Sequence, residues 1–176
     1  MERRLRVHYS GLMKWLDEVR EAAAGACKPA TDLEVSIFES ESGLVLPAAV
    51  REVYQLVGNG GFGPGYLLAG LVNGHRDDQG MCVLDLYLSL CMKDPEQPLW
   101  KWPRGVLPIC HWGCAVQSCV DCTREGLPMV RFDPCGIESD GRMGQAMWDE
   151  GKGFVGWLEA WARGEDLWGS GMRKTV

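Results

Sequence analysis

"VGNGGFGPGYLLAGL", residues 57–71, joins two apolar segments through a cluster of glycines. Loops that cradle phosphate lead from a strand into the N-terminus of a helix, where free backbone N–H groups meet the anion. Here the order is reversed, because an apolar stripe at helical spacing (Val50, Val53, Tyr54, Val57) precedes the glycines. The Lys-Ser/Thr of a P-loop is also missing. The stretch therefore predicts the end of a helix and a tight turn into a strand over 65–71.

Amphipathic helices are predicted before this stretch. The first carries apolar residues at helical spacing from Leu12 to Ala23, with Ser10 as its candidate N-cap. The second begins with a capping-box pattern, and the third has a proline in its first turn. The residues assigned to the starts and ends of the second and third helices are Thr31, Glu34, Gly43, Pro47, Asn59, Gly60 and Gly61.

The segments after the glycines predict a sheet with helices around it. Residues 83–94 favour a helix, and three successive segments rich in β-forming residues, 106–112, 114–121 and 127–134, read as strands joined by hairpins. A last helix is indicated by Phe154, Trp157 and Trp161, with Gly164 as its end. We therefore predict a single α+β domain with a central, mainly antiparallel sheet flanked by helices.

Composition and charge exclude several classes of protein. The chain is 46% hydrophobic and 24% charged, and no apolar run is long enough to span a membrane. Its 18 basic and 24 acidic side chains give a formal net charge of −6, which is unfavourable for binding nucleic acid and favours encounter with a basic protein. We expect a cytoplasmic protein with no membrane or nucleic-acid partner.

Cysteine and histidine residues between 110 and 135 raise the question of a metal or thiol site. Their spacing lies within predicted strands, where alternate residues point to opposite faces, so buried free thiols are favoured over zinc ligands. His111 is the one plausible general base, with Cys110 or Cys114 as its partner, but a structural histidine is favoured. We predict no metal, no cofactor and no catalytic residue. The residues for which a metal stays an open alternative are Cys110, His111, Cys114, Cys119 and Cys122.

Eight tryptophans are more than a core of this size needs. Those on helical apolar faces, such as Trp157, are assigned to the core. Trp100, Trp102 and Trp112 lie in or beside loops, where they either cover the sheet edge or form a partner-binding surface.

The order of four segments resembles the SUKH superfamily in its Smi/Knr-like branch. These segments are "FESESGLVLP" (38–47), "NGGFGPGY" (59–66), "GVLPICHWGCAVQSCVD" (105–121) and "FVGWLEAWARGEDLW" (154–168). The resemblance implies an α+β fold, no catalysis and a binding role, which in bacterial members is that of an immunity protein against a toxin, often a nuclease. It also suggests an N-terminal helical extension over 1–30, a SUKH-like domain over 31–168 and a tail over 169–176.

The resemblance and the acidic charge favour one functional hypothesis over two alternatives, and aromatic and carboxylate side chains are the residues expected at its binding face. The leading hypothesis is an immunity protein that acts as a monomer or weak dimer; the alternatives are a regulatory or scaffolding domain without a toxin partner, and a Cys/His metal or thiol enzyme. The expected partner contacts are Tyr66, Asp77, Asp78, Trp100, Trp112 and Glu138. The expected structural residues are Glu39, Gly43, Pro47, Asn59, Gly60, Gly61 and Asp121, the last as the cap of the 123–126 turn.

Overall fold

The computed structural model describes residues 14–170. It has one α+β domain built on a four-stranded antiparallel sheet of order β1-β2-β3-β4, which confirms the predicted fold class. The helices are α1 (14–22), α2 (Asp32–Ser42), α3 (Ala48–Glu52), α4 (Val83–Cys91), α5 (Phe154–Ala162) and α6 (Leu167–Ser170). The strands are β1 (Val106–His111), β2 (Gln117–Asp121), β3 (Pro128–Phe132) and β4 (Met147–Gly153).

The first two helices form largely as predicted. Trp15, Leu16 and Val19 of α1 are buried in the common core, while the proposed cap at Ser10 lies outside the described residues. At α2 the capping box is present: the Thr31 hydroxyl accepts from the Glu34 N–H, and a Glu34 carboxylate oxygen accepts from the Thr31 N–H. These bonds satisfy N–H groups that the helix itself leaves unpaired.

The third helix differs in detail from the prediction. Pro47 is its N-cap rather than a residue of its first turn, and α3 runs directly into a π-helical turn, Val53–Val57. Glu39 of α2 holds the entry, because its Oε1 accepts from the Leu46 N–H at 2.8 Å and pairs with Arg51 at 2.6 Å. The helix ends at Val57 with Gly58 as its C-cap, one residue before the predicted Asn59–Gly61 stop.

The predicted strand over 65–71 is wrong. Only an isolated bridge forms there, between Leu68 and Cys110 of β1. The backbone turns sharply at Leu67, where φ is 73°, and the chain is then drawn back toward Asn59, whose side-chain oxygen accepts from the Leu71 N–H. A strand cannot continue through two such bends, although its residues still line β1.

The three predicted strands and the α4 helix are confirmed, but a fourth strand was missed. β4 has the sequence MWDEGKG and pairs with β3. Its two glycines and adjacent charges disfavour a strand by propensity, so pairing with β3 decides its conformation. The last predicted helix is present as α5, which ends at Ala162 with Arg163 as its C-cap, one residue before the predicted end at Gly164.

The core lies between the sheet and the helices as one apolar cluster. It includes fully buried residues from α1, α2, the π-turn and α5, namely Val19, Phe38, Tyr54, Trp157 and Leu158. Across residues 14–170, no helix combines the length and the apolar character that crossing a membrane requires.

Candidate functional site

A buried ion pair links the last two strands. Arg131 of β3 is 1% exposed and lies beside Glu150 of β4, with Nε 2.9 Å from Oε1 and Nη2 3.1 Å from Oε2. This two-bond geometry is the strongest form of a guanidinium–carboxylate contact. Both charges are out of water, so each depends on the other to offset its desolvation.

Further hydrogen bonds extend this pair into a network. Glu150 accepts from the Ser118 hydroxyl at 2.5 Å and from the Trp157 indole N–H at 3.0 Å. Ser118 in turn accepts from the Trp112 indole N–H at 2.7 Å. The Arg131 guanidinium also donates to the Leu167 carbonyl at 3.1 Å, which fixes the start of α6.

Two tryptophans form the outer side of the network. The Arg131 guanidinium lies 4.6 Å from the ring centroid of Trp112 and 5.2 Å from that of Trp168, and the two rings are 5.4 Å apart. Trp168 is 41% exposed, whereas Trp112 is half-buried. A buried cation thus holds an aromatic pair at the surface by cation–π contacts.

A cleft of about 370 Å³, which we call the Trp168 cleft, opens beside this pair. The Asp133 carboxylate at its edge accepts from the Cys135 N–H at 2.9 Å, and within residues 14–170 it forms no ion pair. Because Arg131 is neutralised by Glu150, Asp133 supplies the unbalanced charge of the cleft. Its walls include Val116, Arg131, Asp133, Gln145, Trp148 and Trp168.

A second depression of about 560 Å³, the Trp100 groove, lies on the other side of the β1–β2 hairpin tip. Trp100 is anchored by its indole N–H, which donates to the Leu90 carbonyl at 2.8 Å, and it packs edge-on against Phe132. The groove is mainly apolar and its rim includes Met92, which is 69% exposed. The two depressions therefore flank one end of the sheet.

A third cluster lies at the end of β1. The Tyr66 ring, 57% exposed, sits 5.5 Å from the ring of His111, whose Nδ1 is 3.3 Å from a carboxylate oxygen of Asp78. His111 is buried, and within the described chain neither of its ring nitrogens makes a hydrogen bond. The neighbouring Asp77 instead accepts from the N–H groups of Gln79 and Met81, which closes its own turn.

The six expected contact residues separate into groups. Tyr66 and Trp112 each pack beside a glycine next to the other residue: a Cβ at Gly113 would lie 3.2 Å from the Tyr66 ring, and one at Gly65 would lie 2.9 Å from the Trp112 indole. Asp78 joins Tyr66 through His111, as described above. Trp100 lies in the groove, and the exposed Glu138 pairs with Arg142 at 2.9 Å in a neighbouring loop.

Sequence reasoning did not find Arg131, Glu150, Asp133 or Trp168. One signal was present for Arg131, which interrupts the apolar strand "PMVRF". A charge at an inward strand position needs a buried partner, and that pattern points to an ion pair.

The expected structural residues bind mainly backbone. Asn59 is 2% exposed, and its side-chain oxygen accepts from the Leu71 N–H at 2.7 Å. Asp121 accepts from the N–H and the hydroxyl of Thr123, at 2.9 and 2.6 Å. Gly60 has φ +78°, and a Cβ there would lie 2.5 Å from the Leu68 carbonyl oxygen.

The cysteines do not assemble into a ligand set. Among residues 14–170 no group of three or more Cys, His, Asp or Glu could hold a metal ion. Burial raises the pKa of the Cys110 and Cys119 thiols far above the ordinary value, and it raises the pKa of Cys122 to about 12. Burial therefore favours the protonated thiol at neutral pH, which is a much weaker nucleophile than the thiolate.

Comparison with known sequences assigns the chain to a family. No individual curated protein matches the chain. Residues 29–142, more than half of it, match the SMI1/KNR4 family (SUKH-1), which is known for immunity proteins and is generally non-catalytic. The match includes Trp112, Arg131 and Asp133 and ends before β4, α5 and α6. With its family match and its α+β fold, the chain belongs to the SMI1/KNR4 family (SUKH-1).

Proposed function

We propose that this chain is a non-catalytic immunity protein that binds and neutralises a toxin, and that it binds through the end of the sheet that carries the Trp168 cleft and the Trp100 groove. The observation that carries the proposal is the Trp112–Arg131–Trp168 stack. It presents a partly exposed indole from a rigid, buried support.

The composition of this face is that of a binding hot spot. Tryptophan, tyrosine and arginine dominate the energy of protein interfaces, because they combine large apolar area with directed polar contacts. Trp168 is already fixed by Arg131 and by Trp112, so little side-chain entropy remains to be lost on association. Tyr66 and Trp112 extend the aromatic surface toward Asp78 on one side. Trp100 extends it toward the loop of Glu138 on the other.

Charge supports a basic partner. The chain has a formal net charge of −6. A toxin that cleaves nucleic acid carries a basic substrate site, and opposite charges raise the association rate at low salt. We expect the complex to form in the cytoplasm, from a monomer or weak dimer of this protein, without nucleic acid or membrane. Its association rate should fall as ionic strength rises.

The chemistry of the site gives no support to an enzyme. Burial raises the pKa of the Cys110 and Cys119 thiols and so disfavours the reactive thiolate, and His111 is flanked by Tyr66 and Asp78. A nucleophile needs a base within hydrogen-bond reach. A metal is unsupported for the same residues, so we propose that the protein acts without a cofactor.

Paired affinity capture tests the proposal. The wild-type chain and its Trp168→Ala variant are used as baits at equal concentration in lysate of the native host, and Val45→Ala, an exposed apolar change outside both depressions, is the control. A partner held by the wild type and by Val45→Ala but lost from Trp168→Ala is expected. The partner is then expressed alone and together with each bait.

Growth arrest by the partner, relieved by the wild type and not by Trp168→Ala, supports the immunity role. A partner that is not toxic favours the regulatory or scaffolding alternative. Capture that is equal for all three baits contradicts the proposed face. The metal content of the same purified protein is measured, and stoichiometric zinc would overturn the cofactor-free proposal.

A further inference from the structure

The Trp168 cleft combines aromatic walls with one unbalanced carboxylate. Trp148 and Trp168 contribute indole surface, and Asp133 contributes negative charge. The guanidinium of Arg131 lies beneath them, but it is 1% exposed and neutralised by Glu150, so it does not present a positive site to a ligand. A cleft of this kind favours a cation that also has an apolar stem.

The negative charge of Asp133 affects the ionisation of another residue that lines the cleft. A hydrogen bond from the thiol and the nearby negative charge of Asp133 raise the pKa of Cys135, which also lines the cleft. A carboxylate that disfavours a second negative charge there favours a positive one by the same interaction. No ion pair between residues 14 and 170 includes Asp133, so this part of the chain leaves its carboxylate without a counter-charge.

The dimensions suit one side chain rather than a large ligand. A volume of about 370 Å³ lies at the low end of the range for small-molecule pockets. The cleft is open at the surface of the sheet end, where a protruding residue of another protein can enter.

We infer that the Trp168 cleft binds a lysine or arginine side chain of the partner protein, with its aliphatic stem against the indoles and its charged end at Asp133. This inference rests on the proposed function, because it names the chemistry of the partner at the same face. It gives the acidic chain a specific anchoring point in addition to general attraction.

The test uses the cation alone. Nα-acetyl-lysine methylamide, whose side-chain ammonium group is free, is titrated into the ¹⁵N-labelled protein. The indole N–H signals of Trp148 and Trp168 are followed by NMR. N-acetyl-norleucine methylamide, which has a similar stem and no charge, is the matched ligand. The structure also offers a matched variant: Asp149, like Asp133, accepts the N–H two residues ahead, at 2.6 Å, but it does not line the cleft.

The lysine derivative is expected to shift both indole signals with saturation, and the norleucine derivative is not. Asp133→Asn should lower the affinity for the lysine derivative by about three- to tenfold, as for a partly buried ion pair. Asp149→Asn should leave this affinity unchanged. Equal shifts with norleucine, an unchanged affinity in Asp133→Asn, or no shifts at all would each overturn the inference.

Failure of this inference is distinguishable from failure of the proposed function. If the Asp133→Asn bait retains the partner in the capture experiment while Trp168→Ala loses it, the cation-binding role of Asp133 is contradicted. The proposed binding face is then still supported. Loss of the partner from Asp133→Asn, with retention by Asp149→Asn, supports the anchor in the complete protein.

Discussion

Asn59 and Arg131 are both polar and almost fully buried, at 2% and 1% exposure, but their surroundings differ. Asn59 binds backbone: its side chain accepts from Leu71, its N–H donates to the Lys28 carbonyl and its carbonyl accepts from His75. Arg131 binds mainly side chains, and its contacts lead outward to Trp168 at the surface.

The difference separates a structural network from one that also supports binding. Around Asn59 the backbones are so close that Gly60, Gly70 and Gly74 have no room for a Cβ atom. None of these residues lines the Trp168 cleft or the Trp100 groove. Around Arg131 the buried charges instead orient a partly exposed indole. Changes in the first region should lower stability alone, whereas changes in the second should affect stability and binding separately.

The largest effect is expected from the ion pair. Glu150→Gln leaves the Arg131 charge uncompensated in the core and should lower the free energy of unfolding by about 3–5 kcal/mol in urea denaturation. Glu165→Gln, which removes an exposed carboxylate paired with Lys152 and Arg163, is the control and should leave the free energy of unfolding almost unchanged. Equal costs for the two variants would show that the buried pair is not needed.

Gly60 and Gly80 distinguish backbone strain from steric overlap. Both have φ +78°, but a Cβ at Gly80 meets nothing within 4 Å, whereas one at Gly60 meets the backbone of residues 68–70. Gly80→Ala should cost about 1 kcal/mol, and Gly60→Ala about 3 kcal/mol or more, by thermal denaturation. Gly60→Val and Gly61→Val should likewise lower stability rather than partner affinity. A Gly60 variant that is fully stable but no longer binds the partner would contradict a purely structural role for this region.

Asn59→Ala tests the closed network directly. It leaves the buried Leu71 N–H without its acceptor and should lower the free energy of unfolding by about 1–3 kcal/mol. Faster hydrogen exchange at the Leu71 amide, with unchanged partner affinity in the folded protein, is the expected result. Loss of affinity without loss of stability would place Asn59 in the binding face.

Trp168→Ala should show the opposite behaviour. Because this side chain is 41% exposed, its removal should cost only about 1 kcal/mol of stability, but a partner affinity lower by about 2 kcal/mol or more is expected if it is a hot spot. Calorimetric titration with the captured partner measures the second value. If the loss of affinity is fully explained by the larger fraction of unfolded protein, Trp168 does not belong to the binding site.

The smallest effect is a pH dependence at Glu34, whose Oε1 lies 3.5 Å from the Asn59 amide nitrogen. The hydrogen bond from the Thr31 N–H lowers the Glu34 pKa below its ordinary value of 4.5. A lowered pKa stabilises the fold above about pH 4.5, and this contribution is lost as the pH falls through the folded-state pKa. Glu34→Gln should therefore give a shallower decline of stability below pH 4.5. An identical slope in wild type and variant would contradict this.

Much of the fold follows from local patterns. The capping box at Thr31, the α4 helix and three of the strands rest on signals within a few residues. β4 was missed because its one buried residue is Glu150, and a charge in a strand reads as exposed until its partner is known.

The site was predicted only in part for the same reason. Tyr66 and Trp112 were assigned to the candidate face because aromatic residues in or beside predicted loops can be recognised in a sequence. Arg131 and Glu150 are 19 residues apart, and their pairing depends on the register of two strands. Trp168 becomes part of the site only through its contact with Arg131. Local sequence patterns do not predict such long-range pairings.

The Arg131–Glu150 pair also has a consequence for how related sequences diverge. Arg131 lies within the family-matched residues, whereas Glu150, Trp157 and Trp168 lie after residue 142. A lineage that exchanges its carboxyl-terminal segment must keep an acid opposite Arg131 or replace both charges together. Compensating substitutions at 131 and 150 should therefore accompany a change of partner, while the Asn59 region stays constant.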